Sequence, residues 1–187
     1  MKILVDDLLL LARLETGGNP GHGDWVDVPE LLSGLLEEGR LLSGVRHHRI
    51  TLEAEPGLMV FGNEKELRSA FANLLANAIN YTPDGGDVGL EWSADASGAH
   101  LRVRDTGIGI EAQHIDRLTE RFYRVDTGRS KSRGGTGLGL AIVKHVLMRH
   151  SARLSIDSEP GQGSTFTCSF PPGIVHRSGL DRHWKTA

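Results

Sequence analysis

The chain has 187 residues, 39% of them hydrophobic, and a formal charge of -3 from 21 basic and 24 acidic side chains. That length and apolar content suit one core-forming domain with short appendages and exclude a disordered or fibrous protein, while the charge balance leaves no basic footprint for nucleic acid. A single cysteine, Cys168, excludes an internal disulfide or a cysteine zinc site, no apolar run reaches the length of a membrane span, and no signal peptide opens the chain.

Residues 3 to 15 place Ile3, Leu4, Leu8, Leu11 and Leu14 at helical spacing and run into the breakers Thr16-Gly17-Gly18-Asn19-Pro20-Gly21. A helix this short cannot bury its stripe alone, so it is expected to be the end of a longer one, joined by a flexible linker to the second segment. A second helix is predicted over 29–47, with Leu31, Leu32, Leu35, Leu36 and Leu42 on its core side, followed by strands over 50–54 and 58–61. His47-His48-Arg49, at the end of that helix, reads as solvated surface. The third helix starts at the capping-box pair Asn63 and Glu66 and is bounded by Pro83, with Leu67, Phe71, Leu74, Leu75 and Ala78 as its buried stripe. At about 100° per residue, Asn73, Asn77 and Asn80 fall within roughly 60° of one another on its flank, so three carboxamides line one edge.

Strands over 88–94 and 100–105, a short helix over 111–118, a mobile loop rich in Arg, Ser and Gly over 126–136, an apolar helix over 137–150 and strands over 153–157 and 164–170 complete the pattern. Cys168 alternates with Phe166 and Phe170 and reads as a core thiol. The order implies an α/β fold: a two-layer α/β sandwich with a mixed, mostly antiparallel sheet packed on three helices. After Pro171-Pro172 there is no periodicity, and 173–187 is expected to be a poorly ordered tail.

Gly134-Gly135-Thr136-Gly137-Leu138-Gly139-Leu140 runs straight into an apolar helix. Glycines let backbone N–H groups approach an anion, and a helix start offers unpaired donors and the positive end of its dipole. A nucleotide phosphate suits such a segment, which taken alone is equally a hinge. Asp105 ends an alternating strand and heads Asp105-Thr106-Gly107-Ile108-Gly109-Ile110, where a carboxylate can face a pocket. Asn77, beside Asn73 and Asn80, suits an oxygen ligand for Mg²⁺ shared with phosphates. No Gly-Lys pair exists for a Walker A loop, and the glycine helix lacks the strand lead-in and downstream acid of a dinucleotide fingerprint. Asp-Thr-Gly, the triplet of aspartic proteases, occurs at Asp105 and again at Asp126-Thr127-Gly128. The copies lie close together and are followed by Ile108 and Arg129, which disfavours a protease.

Taken in order, these segments resemble the ATP-binding catalytic domain of bacterial sensor histidine kinases, in the superfamily of the gyrase, Hsp90 and MutL ATPases. The resemblance covers about residues 60 to 170. Asn73 to Ala78 with Tyr81-Thr82-Pro83 resembles the N box, Asp105 to Ile110 the first glycine box, and Arg121-Phe122-Tyr123-Arg124-Val125-Asp126 the F box. Gly135 to Leu140 resembles the second glycine box, and Gly161-Gln162-Gly163-Ser164-Thr165-Phe166 the last glycine turn.

The resemblance implies the Bergerat fold, ATP and Mg²⁺ as ligands, and phosphoryl transfer to a histidine, with Asn73 and Asn77 in catalytic roles and Asn77 holding the metal. Asp105 would accept from the adenine amino group, beside Gly107 and Ile110, with Gly109 letting the base approach and Tyr81 packing near base or ribose. Gly135, Gly137, Leu138, Gly139 and Leu140 would close over the phosphates. Arg121 or Arg124 would reach them, and Phe122, Tyr123, Asn80 and Thr165 would complete the nucleotide site. Asn80 stands where the family often has Lys or Arg, so the cation of that position is missing.

By the same resemblance, residues 1–16 are the end of a dimerisation and phosphoacceptor helix, 17–27 a linker and 28–172 the catalytic domain. None of the nine His is followed by an acidic residue, as the family's acceptor is, so the acceptor is expected upstream. The implied partners are the protein's own dimerisation and phosphoacceptor domain and a response regulator. The full-length protein would be a homodimer in the bacterial inner membrane, with this domain in the cytoplasm and no nucleic-acid partner. His150-Ser151-Ala152-Arg153-Leu154 replaces the usual Gly-Gly and resembles the phosphate-regulon sensor kinases. Hydrolytic members carry Glu where Asn73 stands, and an amide cannot take a proton near neutral pH, which separates a kinase from a hydrolytic ATPase. A regulatory nucleotide-binding module is the third reading.

Overall fold

A computed structural model of the protein describes residues 2–15, 23–125 and 136–178, with side chains from residue 5 onward. In chain order the elements are α1 (Lys2–Glu15), β1 (Asp24–Asp27), α2 (Val28–Ser43), β2 (Arg49–Ala54), β3 (Leu58–Gly62), α3 (Glu64–Tyr81), β4 (Asp87–Asp95) and β5 (Gly98–Asp105). A short α4 (Ala112–Ile115), α5 (Gly139–Arg149), β6 (Arg153–Glu159), β7 (Gly163–Phe170) and β8 (Val175–Arg177) complete the chain.

Five strands form the main sheet in the order β2-β4-β5-β7-β6, with β2 and β4 parallel and every other pair antiparallel. Alternation sends Leu90, Trp92, Leu101, Val103, Phe166, Cys168 and Phe170 to one face, where α2, α3 and α5 cover them. Cys168 is fully buried there, and burial pushes its thiol up to about 12. The expected two layers, mixed sheet and three covering helices are all present.

A second sheet, β1-β3-β8, was not expected. Its β1 lies within the stretch read as a linker, and its β8 lies within the stretch read as a tail, pairing Val175 with Val60 and Arg177 with Leu58. Trp92 joins the sheets by donating its indole N–H to the Leu58 carbonyl at 3.0 Å. Residues 16–22 of the linker, 126–135 of the loop and 179–187 of the tail lie outside the described residues.

Helix α2 stops four residues earlier than its periodicity suggests because Gly44 takes a φ of +52°, a turn that glycine adopts at little cost. Leu42, in the last turn of α2 and expected on its core side, is 49% exposed. His48, expected on the surface, is half-buried: its Nε2–H donates to the Thr82 carbonyl at 3.2 Å and its Nδ1 accepts from the Ser43 hydroxyl at 2.9 Å.

Asn63 caps α3 by accepting the Glu66 N–H at 3.1 Å, but the reciprocal half of the box is replaced. Glu66 turns to Arg149 instead, and the Asn63 N–H donates to Nε2 of His150 at 3.0 Å. The other ring nitrogen of His150 donates to the Val146 carbonyl at 2.7 Å, so the imidazole is held as one neutral tautomer between the start of α3 and the end of α5. It is only 6% exposed. His150→Ala should therefore leave a void and an unmatched N–H, costing about 2–4 kcal/mol in urea unfolding. A loss under about 1 kcal/mol would mean that water replaces the ring without penalty.

Candidate functional site

A cavity of about 430 Å³ opens between the second half of α3, the end of β5, the F-box segment and the start of α5. Asn73, Asn77 and Asn80 line one wall, as their helical spacing predicts. Their amides are held differently. The Asn73 NH₂ donates to the Ser69 carbonyl at 2.9 Å, and its Oδ1 lies 2.6 Å from where a side chain on Gly139 would begin. Asn77 makes no side-chain hydrogen bond among the described residues, whereas the Asn80 oxygen is met by Arg46.

Opposite them, Asp105 ends β5 in the cavity wall and is 4% exposed. Burial pushes its carboxyl above the usual aspartate range, and the backbone N–H groups of Gly107, at 2.8 Å, and Ser164 only partly offset that. Gly107 is thus the support beneath Asp105 and does not line the cavity. Gly109 and Ile110 do line it. The side-chain direction of Gly109, expected to admit a base, is filled by the Glu159 carbonyl, 2.0 Å from a Cβ there. Glycine at 109, with φ +68°, serves the docking of one turn onto another.

Other expected positions divide. Tyr81, Tyr123, Arg124, Gly137, Gly139 and Leu140 border the cavity. Leu138 is fully buried in the core, and Phe122 points to solvent at 59% exposure. Arg121 pairs with Glu15 of α1. Thr165 faces away, because Ser164 and Phe166 are the β7 residues on the cavity side. Gly135 lies outside the described residues.

Some neighbours had no signal in the sequence. His114 bonds the Tyr123 hydroxyl at 2.7 Å, and Arg117 stacks on the Tyr123 ring at 4.2 Å, fixing the F-box tyrosine. Leu42 lines the cavity from α2. On α1, Leu11 and Leu14 are buried against α5, and Asp7 reaches the cavity, accepting from the Thr136 hydroxyl at 3.1 Å. Helix α5 has no side-chain cap, so its first N–H groups face this end of the cavity as donors.

Comparison with known proteins gives the geometry a family context. Residues 62–174 match the model of the histidine kinase-, DNA gyrase B-, and HSP90-like ATPases. The chain is 57% identical over 175 residues to the phosphate regulon sensor protein PhoR of Pseudomonas aeruginosa, which covers 94% of this chain and 40% of that protein. It is 40% identical over 168 residues to the sensor-like histidine kinase SenX3 of Mycolicibacterium smegmatis, covering 90% of this chain and 44% of that one. Among solved structures, full-length ShkA in complex with AMPPNP superposes with a TM-score of 0.81 at 28% identity, over 94% of this chain and 36% of that chain. The chain thus spans less than half the length of these relatives.

The two turns that meet behind Asp105 allow a paired test. Gly109→Ala meets both an unfavourable φ and the Glu159 backbone, whereas Gly161→Ala, at φ +80°, meets nothing within 4 Å. The second should cost about 1–2 kcal/mol in urea unfolding, from φ alone, and the first more than about 3 kcal/mol. Equal costs would show that the turns move apart freely.

Proposed function

The chain belongs to the histidine kinase-, DNA gyrase B- and HSP90-like ATPase family, and from that membership we propose that it is the ATP-binding catalytic part of a sensor histidine kinase. It would transfer the γ-phosphoryl group of ATP to a histidine on a dimerisation domain, for relay to a response regulator. The observation that carries this reading is the row of three amides facing the uncapped start of α5, with a buried carboxylate across the cavity. The AMPPNP bound by ShkA supports ATP as the ligand.

In this reading Asp105, held by the Gly107 and Ser164 N–H groups, accepts from the exocyclic amine of adenine. Tyr81 and Ile110 flank the base. The N–H groups at the start of α5 receive the phosphates. Asn73 offers an amide that cannot deprotonate water, so transfer depends on positioning and charge stabilisation. Asn77, with no partner among the described residues, fits an oxygen ligand for Mg²⁺, which when bound would neutralise phosphate charge.

Val5 and Leu9 lie exposed on α1 four residues apart, on the side away from Leu11 and Leu14, with Leu8 exposed on the flank between. That second apolar stripe supports packing against another helix of the protein's own dimerisation domain. The same reading makes the full-length protein a homodimer anchored in the bacterial inner membrane with this part on its cytoplasmic side, and the likeness to a phosphate regulon sensor protein supports a place in phosphate sensing. No described helix is long and apolar enough to cross a membrane.

Radiolabelled ATP tests the proposal. Incubated with a dimerisation domain from the same parent protein, the chain should place acid-labile label on that domain and none on itself. Steady ATP hydrolysis without an acceptor, or no label on the acceptor, would overturn it.

Asp105 gives a pH signature. Because its carboxyl titrates above the unfolded value, the folded chain binds more protons between the two values, and the Asp105 contribution to stability falls as pH rises through that window. Adenosine binding needs the carboxylate, so affinity should rise with pH over the same window. Asp105→Asn should flatten both slopes in calorimetric titrations and melts compared with the unaltered protein. Parallel slopes would remove Asp105 from base recognition.

A further inference from the structure

Arg46 sits on a three-residue helical turn, Gly44–Arg46, that comes after α2 and is stitched to the α3–β4 turn by the Gly85 N–H donating to the Arg46 carbonyl at 2.8 Å. Its guanidinium points back along the end of α3. It donates to the Ile79 carbonyl at 3.2 Å, and one of its nitrogens lies 3.5 Å from both the Leu42 carbonyl and Oδ1 of Asn80. Arg46 is half-buried and forms no ion pair among the described residues. Its charge is balanced only by carbonyl dipoles at a helix C-terminus and by one amide.

A carboxamide has an accepting end and a donating end. With its oxygen drawn toward Arg46, Asn80 keeps an NH₂ without a partner among the described residues on a side chain that lines the cavity. At 3.5 Å the pull is that of a charge on a dipole more than of a short hydrogen bond. The polarity is the reverse of Asn73, whose NH₂ is tied to Ser69 and whose oxygen faces Gly139. The charges on the wall call for such help. Asp7 and Asp105 are both acidic, and Arg124 is the only cation among the described residues that line the cavity.

We infer that Arg46 is a positioning residue for the nucleotide: it turns Asn80 into a hydrogen-bond donor toward the polyphosphate and stands behind it as the positive charge that Asn80 itself lacks. Asn80 then serves the anion, and Asn77 remains the amide with a free oxygen for a cation. The inference rests on the ATP reading above.

The test compares Mg-ATP with adenosine, which has no phosphate, on the chain and on Arg46→Ala, Arg46→Lys, Asn80→Ala and the double alanine variant, each with its ligand-free melting temperature. Arg46→Ala and Asn80→Ala should each weaken ATP about fivefold to tenfold, the scale of one hydrogen bond. Adenosine should change less than about twofold, and the double variant should be no weaker than the worse single one. Arg46→Lys, which keeps the charge, should recover most of the ATP affinity, and serves as the probe if the alanine variant does not fold.

Equal losses for ATP and adenosine with a lowered melting temperature would reduce Arg46 to a cap on α3 and overturn the inference. Fully additive losses, or unchanged ATP affinity in Arg46→Ala, would do the same. If the unaltered protein binds adenosine but shows no gain for ATP, the polyphosphate reading of the cavity fails first, and this inference with it.

Discussion

Helices α3 and α5 run antiparallel and α5 is held at both of its ends, against the start and the middle of α3, and the cavity depends on both contacts holding together. At one end Gly139 has no side chain, so the start of α5 closes on Asn73 to a distance that any Cβ would forbid. At the other, His150 accepts the Asn63 N–H and Arg149 meets Glu66. From Asn63 to Asn73 is ten residue steps and from Gly139 to His150 eleven, about 15 and 16.5 Å at helical rise. The two struts match in length, so neither contact is made at the expense of the other. The polar clamp at His150 is sequence-remote from the amide row, yet it sets how that row meets the helix that faces it.

That arrangement leaves the start of α5 without a cap of its own. Leu138, at the N-cap position, spends its side chain in the core, and the nearest hydroxyl, on Thr136, accepts from the Leu138 N–H at 3.3 Å while donating to Asp7. A helix that begins with a buried leucine gains apolar burial and forgoes a capping side chain, an omission that costs roughly 1 kcal/mol. Its free donors are what an anion can use. Helix α1 docks along α5 through Leu11, Leu14 and Glu15, which meets Arg121 and, partway along α5, His145, while Asp7 is the carboxylate that α1 brings to the start of α5.

What the sequence makes legible is local. The Asn63 cap, the amide stripe and the placing of Asp105 at a strand end come from spacings of one turn or one strand, and they hold. Features fixed by long-range pairing are not legible. Strands β1 and β8 are four and three residues long, show no alternation worth reading, and exist because β3 stands between them. Thr165 fails by register, since a single step along β7 exchanges the cavity face for the opposite one, and Ser164 holds the position. Leu42 keeps its helical place but sits in the last turn of α2, where it lines the cavity and not the core. Leu138 fails because glycines on either side disguise a core residue as part of a loop. Arg46 lies 34 residues from Asn80 and His150 lies 87 from Asn63, so no motif window contains either pair.

A net charge of -3 says little about a site whose wall mixes two carboxylates, one lining arginine and three amides. For a polyanion, amides have a particular merit. Carboxylates in those places would repel phosphate, and lysines or arginines would need counter-ions or shifted titration whenever the site holds no ligand. An amide stays neutral in both conditions and offers either a donor or an oxygen. Which end it offers is decided by the group behind it: Ser69 for Asn73, Arg46 for Asn80, and, among the described residues, nothing for Asn77. The chemistry proposed for this cavity therefore turns on the side chains that back the row as much as on the three asparagines, and the one left unbacked is the one free to follow a metal.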